Sequence, residues 1–152
     1  MRGLVIPGVF VLLAAGAVFA TDPVVAPVSQ QALIERLDDG PKAPFVLDVR
    51  TAEEFVAGHV PGAINIPYDQ VASRLAEVPR DRDVVLYCRS GRRVQMAAEV
   101  LAGSGYTRLE HLQGDMPTWL SQGRPVVKPR DVPACMAALS SGAPAGNACT
   151  AN

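Results

Sequence analysis

The chain has 152 residues, 49% of them hydrophobic and 19% charged. Such a length and balance suit one compact domain with a buried core and leave little room for a second. The formal net charge of -1 excludes the broad basic character of a nucleic-acid binder, so any positive charge that matters is local.

The first elements do not belong to a fold. Met1 and Arg2 precede an apolar run over 3–17 that carries Leu4, Val5, Ile6, Val9, Phe10, Val11, Leu12 and Leu13. Val18, Phe19 and Ala20 offer residues tolerated at a processing site, and Thr21-Asp22-Pro23 opens a polar segment. This is the layout of a secretory signal peptide over 1–20, with the mature chain starting at Thr21. The rival is an uncleaved anchor, which Pro7 and three glycines weaken as a permanent span. The expected location is periplasmic or secreted, with no stable membrane span after cleavage.

From 22 to 28 the chain is Pro-rich and reads as extended. Ser29 is an N-cap for a helix over 31–37, which Asp39-Gly40-Pro41 stops. Phe45 to Val49 is a short buried-strand pattern. Thr51-Ala52-Glu53-Glu54 is a capping box that opens a helix ended by Gly58. Residues 63–66 read as a strand closed by Pro67, and 69–78 as a helix with Val71, Leu75 and Val78 on one face. A strand over 83–87, a tight loop and a helix over 93–102 come next, the last ended by Gly103 and Gly105. Arg108 to Leu112 is a weaker strand, and 114–120 is a loop into a short helix. Strands alternate with helices, so the fold class is α/β, a central parallel sheet with helices on both faces. Its crevice is expected at the carboxyl ends of the strands, where Asp48 and Cys88 fall.

Cys88 carries the chemistry. It follows the apolar run ending at Tyr87 and precedes Arg89-Ser90-Gly91-Arg92-Arg93. A thiol at the first position of a strand-to-helix loop lies over unpaired N–H groups that favour an anion. The three arginines add positive charge, and such surroundings favour the nucleophilic thiolate. A cysteine at a strand end is more often a small buried hydrophobe. The glycine and three arginines within five residues argue for a reactive thiol and an anion cradle in one loop.

From about 128 the composition turns to Ala, Gly, Ser, Pro and Asn, which reads as a C-terminal extension over 128–152 on a domain over 21–127. The chain has three cysteines. In an exported protein an odd count suggests one disulfide and one free thiol. The expectation is a Cys135–Cys149 disulfide, closing a loop of about 15 residues worth roughly 3 kcal/mol in the chain-entropy model, and a free Cys88.

Three segments resemble the rhodanese-like (thiosulfate sulfurtransferase) single-domain family. They are 47–67 (LDVRTAEEFVAGHVPGAINIP), 88–93 (CRSGRR) and 112–119 (LQGDMPTW), and the likeness extends over about 27–127. The resemblance implies a central parallel sheet with flanking helices. It implies that Cys88 takes a sulfane sulfur from thiosulfate or a similar donor, becomes a persulfide, and passes the sulfur to a nucleophilic acceptor. Cyanide serves in assay; thiol, sulfite or a redox protein are the other acceptors. Amides of Arg89, Ser90, Gly91, Arg92 and Arg93 are expected to bind the persulfide, and the arginines a small sulfur-containing anion such as thiosulfate or polysulfide. No metal or organic cofactor is needed. Asp48 and Arg50 are expected to support the site: Arg50 pairing with Glu54 over one helical turn, Asp48 bonding the loop backbone or an arginine. His59 is expected to orient the loop before Pro61, and Tyr87 and Trp119 to be core or pocket wall.

Two other functions compete. One is a persulfide carrier without turnover, or an interaction module. The other is the phosphatase or arsenate-reductase branch, which uses a loop one residue longer with Arg six places after Cys. Here that place holds Val94, and Arg92 and Arg93 fall too early.

Overall fold

The computed structural model describes residues 25–128. The signal segment over 1–20, the Cys135–Cys149 pair and all of the extension but Lys128 lie outside the described residues. The centre of the fold is β4 (Val84–Tyr87), a run of four buried apolar residues. β-branched and aromatic side chains of this kind fit a strand covered on both faces. β4 pairs in parallel with β2 (Phe45–Asp48) on one side and β5 (Leu109–Leu112) on the other. The edges are β3 (Ile64–Asn65), beside β2, and β1 (Ala26–Val28), beside β5. The order is β1-β5-β4-β2-β3, and every pairing is parallel.

Side-chain alternation divides the core. Val84 and Leu86 face one side with Leu47, and α3 (Arg92–Gly103) covers them with Val94, Ala97, Ala98 and Leu101. Val85 and Tyr87 face the other, covered by Leu33 of α1 (Gln30–Leu37) and by Met116 and Trp119 of α4 (Asp115–Ser121). Phe55 of α2 (Ala52–Ala57) packs on this second layer. Helices therefore lie on both faces. From β2 the chain continues through α2 to the β3 edge, and from β4 through α3 toward the β5 side. The strand order thus reverses between β2 and β4, which opens a crevice at their carboxyl ends.

Two segments depart from the sequence reading. Residues 69–78 do not form a helix. They make two short 3-10 turns, Val71–Ser73 and Leu75–Glu77, separated at Arg74. Pro79 disfavours helical backbone at Val78, which is extended. Val71 and Val78 both reach the core, and the longer 3-10 rise helps to span the distance between them. The Pro-rich start is not only extended but paired: Val28 is buried, and Pro27 sits on a sheet edge where a missing N–H is tolerated. The α1 and α2 caps are as expected. Ser29 Oγ accepts from Ala32 N, and Thr51 and Glu54 form the reciprocal capping box. Among the described residues no helix is long and apolar enough to cross a membrane.

Candidate active site

Cys88 continues the alternation of β4 and turns its side chain to the α3 face, where it joins the core cluster with 0% exposure. The thiol is buried, and it is also held by a loop. Gly91 N donates to Cys88 Sγ at 3.1 Å and Ser90 N at 3.4 Å. Gly91 makes this possible, because its φ of +81° turns the chain back over the sulfur before α3 begins. No side chain caps α3, so its first amides retain their partial positive charge beside the loop.

The arginines divide into two kinds. Arg93 Nη1 is bonded to Glu54 Oε2 at 2.6 Å, and its guanidinium lies 6.0 Å from the Tyr68 ring centroid. That hydrogen bond holds Arg93 above its ordinary pKa. Burial alone would raise the Glu54 carboxyl, but the bonds from Arg93 and Thr51 outweigh it and hold the carboxyl below its ordinary range. Arg89 and Arg92 are exposed and make no ion pair among the described residues. Two of the three expected positive charges thus have no ion-pair partner among the described residues.

Asp48 and Arg50 form a buried knot behind the loop. Arg50 does not pair with Glu54; Asp48 binds an arginine, Arg50, rather than the backbone of the Cys88 loop. Arg50 Nε donates to both Asp48 oxygens at 3.0 Å, its backbone N donates to Oδ1, and Nη2 donates to the Gly58 carbonyl at 2.9 Å. The two-residue spacing lets Arg50 fold back onto the carboxylate at the end of β2, while Glu54 is drawn away by Arg93. Burial works against the Arg50 charge, but Asp48 outweighs it and leaves the guanidinium above its ordinary pKa. Tyr87 lies under this pair, and burial, with the Asp48 charge adding, pushes its phenol far up. Its hydroxyl accepts from Val60 N. His59 stacks on Phe55 at 3.7 Å, and its Nδ1 lies 2.9 Å from the Phe55 carbonyl. Trp119 is fully buried and donates to the Pro125 carbonyl.

Asp115 was not among the expected site residues. It is 5% exposed, and its Oδ1 accepts from Cys88 N at 2.7 Å and lies 3.1 Å from His111 Nε2. Met116 N donates back to the Cys88 carbonyl, so the start of α4 holds both backbone groups of Cys88. Gln30 of α1 supports that turn by donating to the Gln113 and Asp115 carbonyls. His111 lines an open cleft of about 550 Å³ with Ser90, Gly91 and Arg92. A second cleft, of about 400 Å³, lies on the other flank with Tyr68 and Arg93 in its wall. Among the described residues no group of three or more His, Cys, Asp or Glu could hold a metal ion.

The family model for the rhodanese-like domain matches residues 29–122, which takes in the whole of this site. The chain belongs to the rhodanese-like family. Among curated relatives, a sulfurtransferase of Allochromatium vinosum is 37% identical over 102 residues, 67% of this chain and 94% of that one. The thiosulfate sulfurtransferase PspE of Escherichia coli is 44% identical over 70 residues, 45% of this chain and 67% of that one. Among solved structures, a rhodanese-related protein of Thermoplasma volcanium superposes with a TM-score of 0.59 at 29% identity, over 67% of this chain and 97% of that one. The five-stranded parallel sheet is thus a rhodanese-like fold, and the relatives place the chain among rhodanese-type transferases.

Proposed function

We propose that the chain is a sulfurtransferase that carries a sulfane sulfur on Cys88. The observation that supports this best is the pair of amides, Ser90 N and Gly91 N, donating to Cys88 Sγ. Such a cradle suits a sulfur anion more than a larger tetrahedral group. With thiosulfate as donor, the Cys88 thiolate attacks the outer sulfur. A new S–S bond forms, the old one breaks, and sulfite leaves with the electron pair. A persulfide anion remains on Cys88, and a nucleophilic acceptor then takes its outer sulfur and releases the thiolate. The donor's oxyanion is assigned to Arg92, which lines the cleft beside the loop, and to the exposed Arg89 next to Cys88. Thiosulfate as donor is supported by the name of the Escherichia coli relative and by the burial of Cys88, which favours a small donor.

The phosphatase reading lacks its chief residue. Val94, sixth after Cys88, is buried in the α3 core and offers nothing to hold a phosphoryl group. Export over residues 1–20 belongs to the same proposal, and N-terminal sequencing of the exported protein is expected to begin at Thr21.

An intact-mass measurement after incubation with thiosulfate tests the central claim. Wild type is expected to gain one sulfur atom and Cys88→Ser none. No gain in wild type with thiosulfate or with polysulfide would overturn the reading.

A further inference from the structure

Resting on the sulfurtransferase reading, we propose that the acceptor is a small thiol and that His111, held by Asp115, is the base that deprotonates it. A carboxylate can only accept hydrogen bonds, so the contact between Asp115 Oδ1 and His111 Nε2 places the ring proton on Nε2. Nδ1 is then left with a lone pair, and it has no hydrogen-bond partner among the described residues. A nucleophile's base oriented by a buried acid is a recurrent arrangement for activating a weakly acidic group.

The imidazole is placed for this task. It lines the cleft beside the loop and is partly exposed, with 32% of its side chain accessible. It also packs on the sulfur cradle. A methyl group built on Gly91 would lie 3.2 Å from His111 Cε1, and Gly91 N is the amide 3.1 Å from Cys88 Sγ. The ring therefore lies against the residue whose amide holds the sulfur. The charged groups around it are Asp115 from α4 and Arg92 from the start of α3. Glu110, its neighbour on β5, is bonded to Arg36. The cleft volume, about 550 Å³, is in the range of small-molecule sites.

The step balances without an oxidant. His111 Nδ1 takes the thiol proton, the resulting thiolate attacks the outer sulfur of the Cys88 persulfide, and a new S–S bond forms. The bond to Cys88 Sγ breaks and returns its electron pair to Cys88 as thiolate. The proton passes to the departing acceptor persulfide. Sulfite is already an anion and needs little such help.

The test is a single turnover. Cys88 is loaded with sulfur from polysulfide and checked by mass, then mixed with 2-mercaptoethanol, with the more acidic trifluoroethanethiol, or with sulfite. His111→Ala is expected to slow transfer to 2-mercaptoethanol by about 100-fold. The loss with trifluoroethanethiol and with sulfite should be at least about tenfold smaller, and added imidazole should restore the first rate. Asp115→Asn, which keeps an acceptor for Cys88 N, should show the same acceptor preference. An equal loss with all three acceptors, or no loss with 2-mercaptoethanol, would overturn the role of His111 while leaving the sulfurtransferase reading intact. Failure of wild type to load sulfur would overturn both.

Discussion

Asp115 and Gly114 show how much local strain the site holds in place. Both have left-handed backbone, with φ of 52° and 75°. A β-carbon at Gly114 would lie 2.3 Å from Thr118 Oγ1, inside α4 itself. Gly114→Ala is therefore expected to cost about 3 kcal/mol or more, combining left-handed strain with a steric clash that only a shift of α4 can relieve, and a thermal melt will read it. Asp115→Gly sets two effects against each other. Relief of the left-handed backbone returns about 1 kcal/mol, while the lost charged hydrogen bond to Cys88 N costs about 1.5–3 kcal/mol. Net destabilisation of about 1 kcal/mol is expected, and an equal or higher melting temperature would contradict it. From the sequence, 114–120 reads as a loop into a short helix. The partner of the Asp115 carboxylate is a backbone amide 27 residues earlier, which no local pattern reports. The signals available were the place of Asp115 in the 112–119 segment that resembles the family and its four-residue spacing from His111.

Between elements, the contacts that matter are ionic. Glu54 caps α2 and binds Arg93 at the first turn of α3, so one carboxylate joins two helices that flank the crevice. Its folded-state pKa lies below the ordinary value of 4.5. The stability it supplies is therefore fully present above that ordinary value and is lost as pH falls through the folded pKa. Wild type should melt above Glu54→Gln near neutral pH, with the gap closing as the pH is taken below the ordinary value of 4.5 and through the lowered folded-state pKa. The buried pair behaves differently. Asp48→Ala leaves the Arg50 charge uncompensated and is expected to cost about 3–5 kcal/mol, while Asp48→Ala with Arg50→Met should cost less than that single change. Urea melts of the two variants decide the point. The capping box was plain in the sequence because both its members lie within four residues. The partners of Arg50 and Glu54 were not, since a helical spacing of four suggested a pair that Asp48 and Arg93 compete away from them.

At the scale of the whole molecule, the alternation of apolar strands and amphipathic helices was enough to read a parallel α/β sheet, because fully buried strands and covering helices have distinct periods. The 69–78 segment was misread for the same reason that the rest was read well: its apolar spacing is helical, but Pro79 and the span it must cover impose tighter turns. Trp119 anchors the face opposite α3, is completely buried, and ties α4 to the Pro125 carbonyl. Trp119→Ala is expected to remove about 3–5 kcal/mol, a large share of the stability of a domain this size. Because α4 also holds the backbone of Cys88, the same change should lower the rate of sulfur loading before it unfolds the chain, which intact mass at graded temperatures will reveal.

The complete enclosure of Cys88 makes the thiol a clock for motions of its own loop. A bulky disulfide reagent can reach the sulfur only in molecules whose loop has momentarily parted. As reagent concentration rises, the modification rate should therefore level off at the opening rate of the loop rather than climb in proportion. The same enclosure bears on oxidative damage, since sulfinic and sulfonic acids need room for two and three oxygens in a seat shaped for a single sulfur.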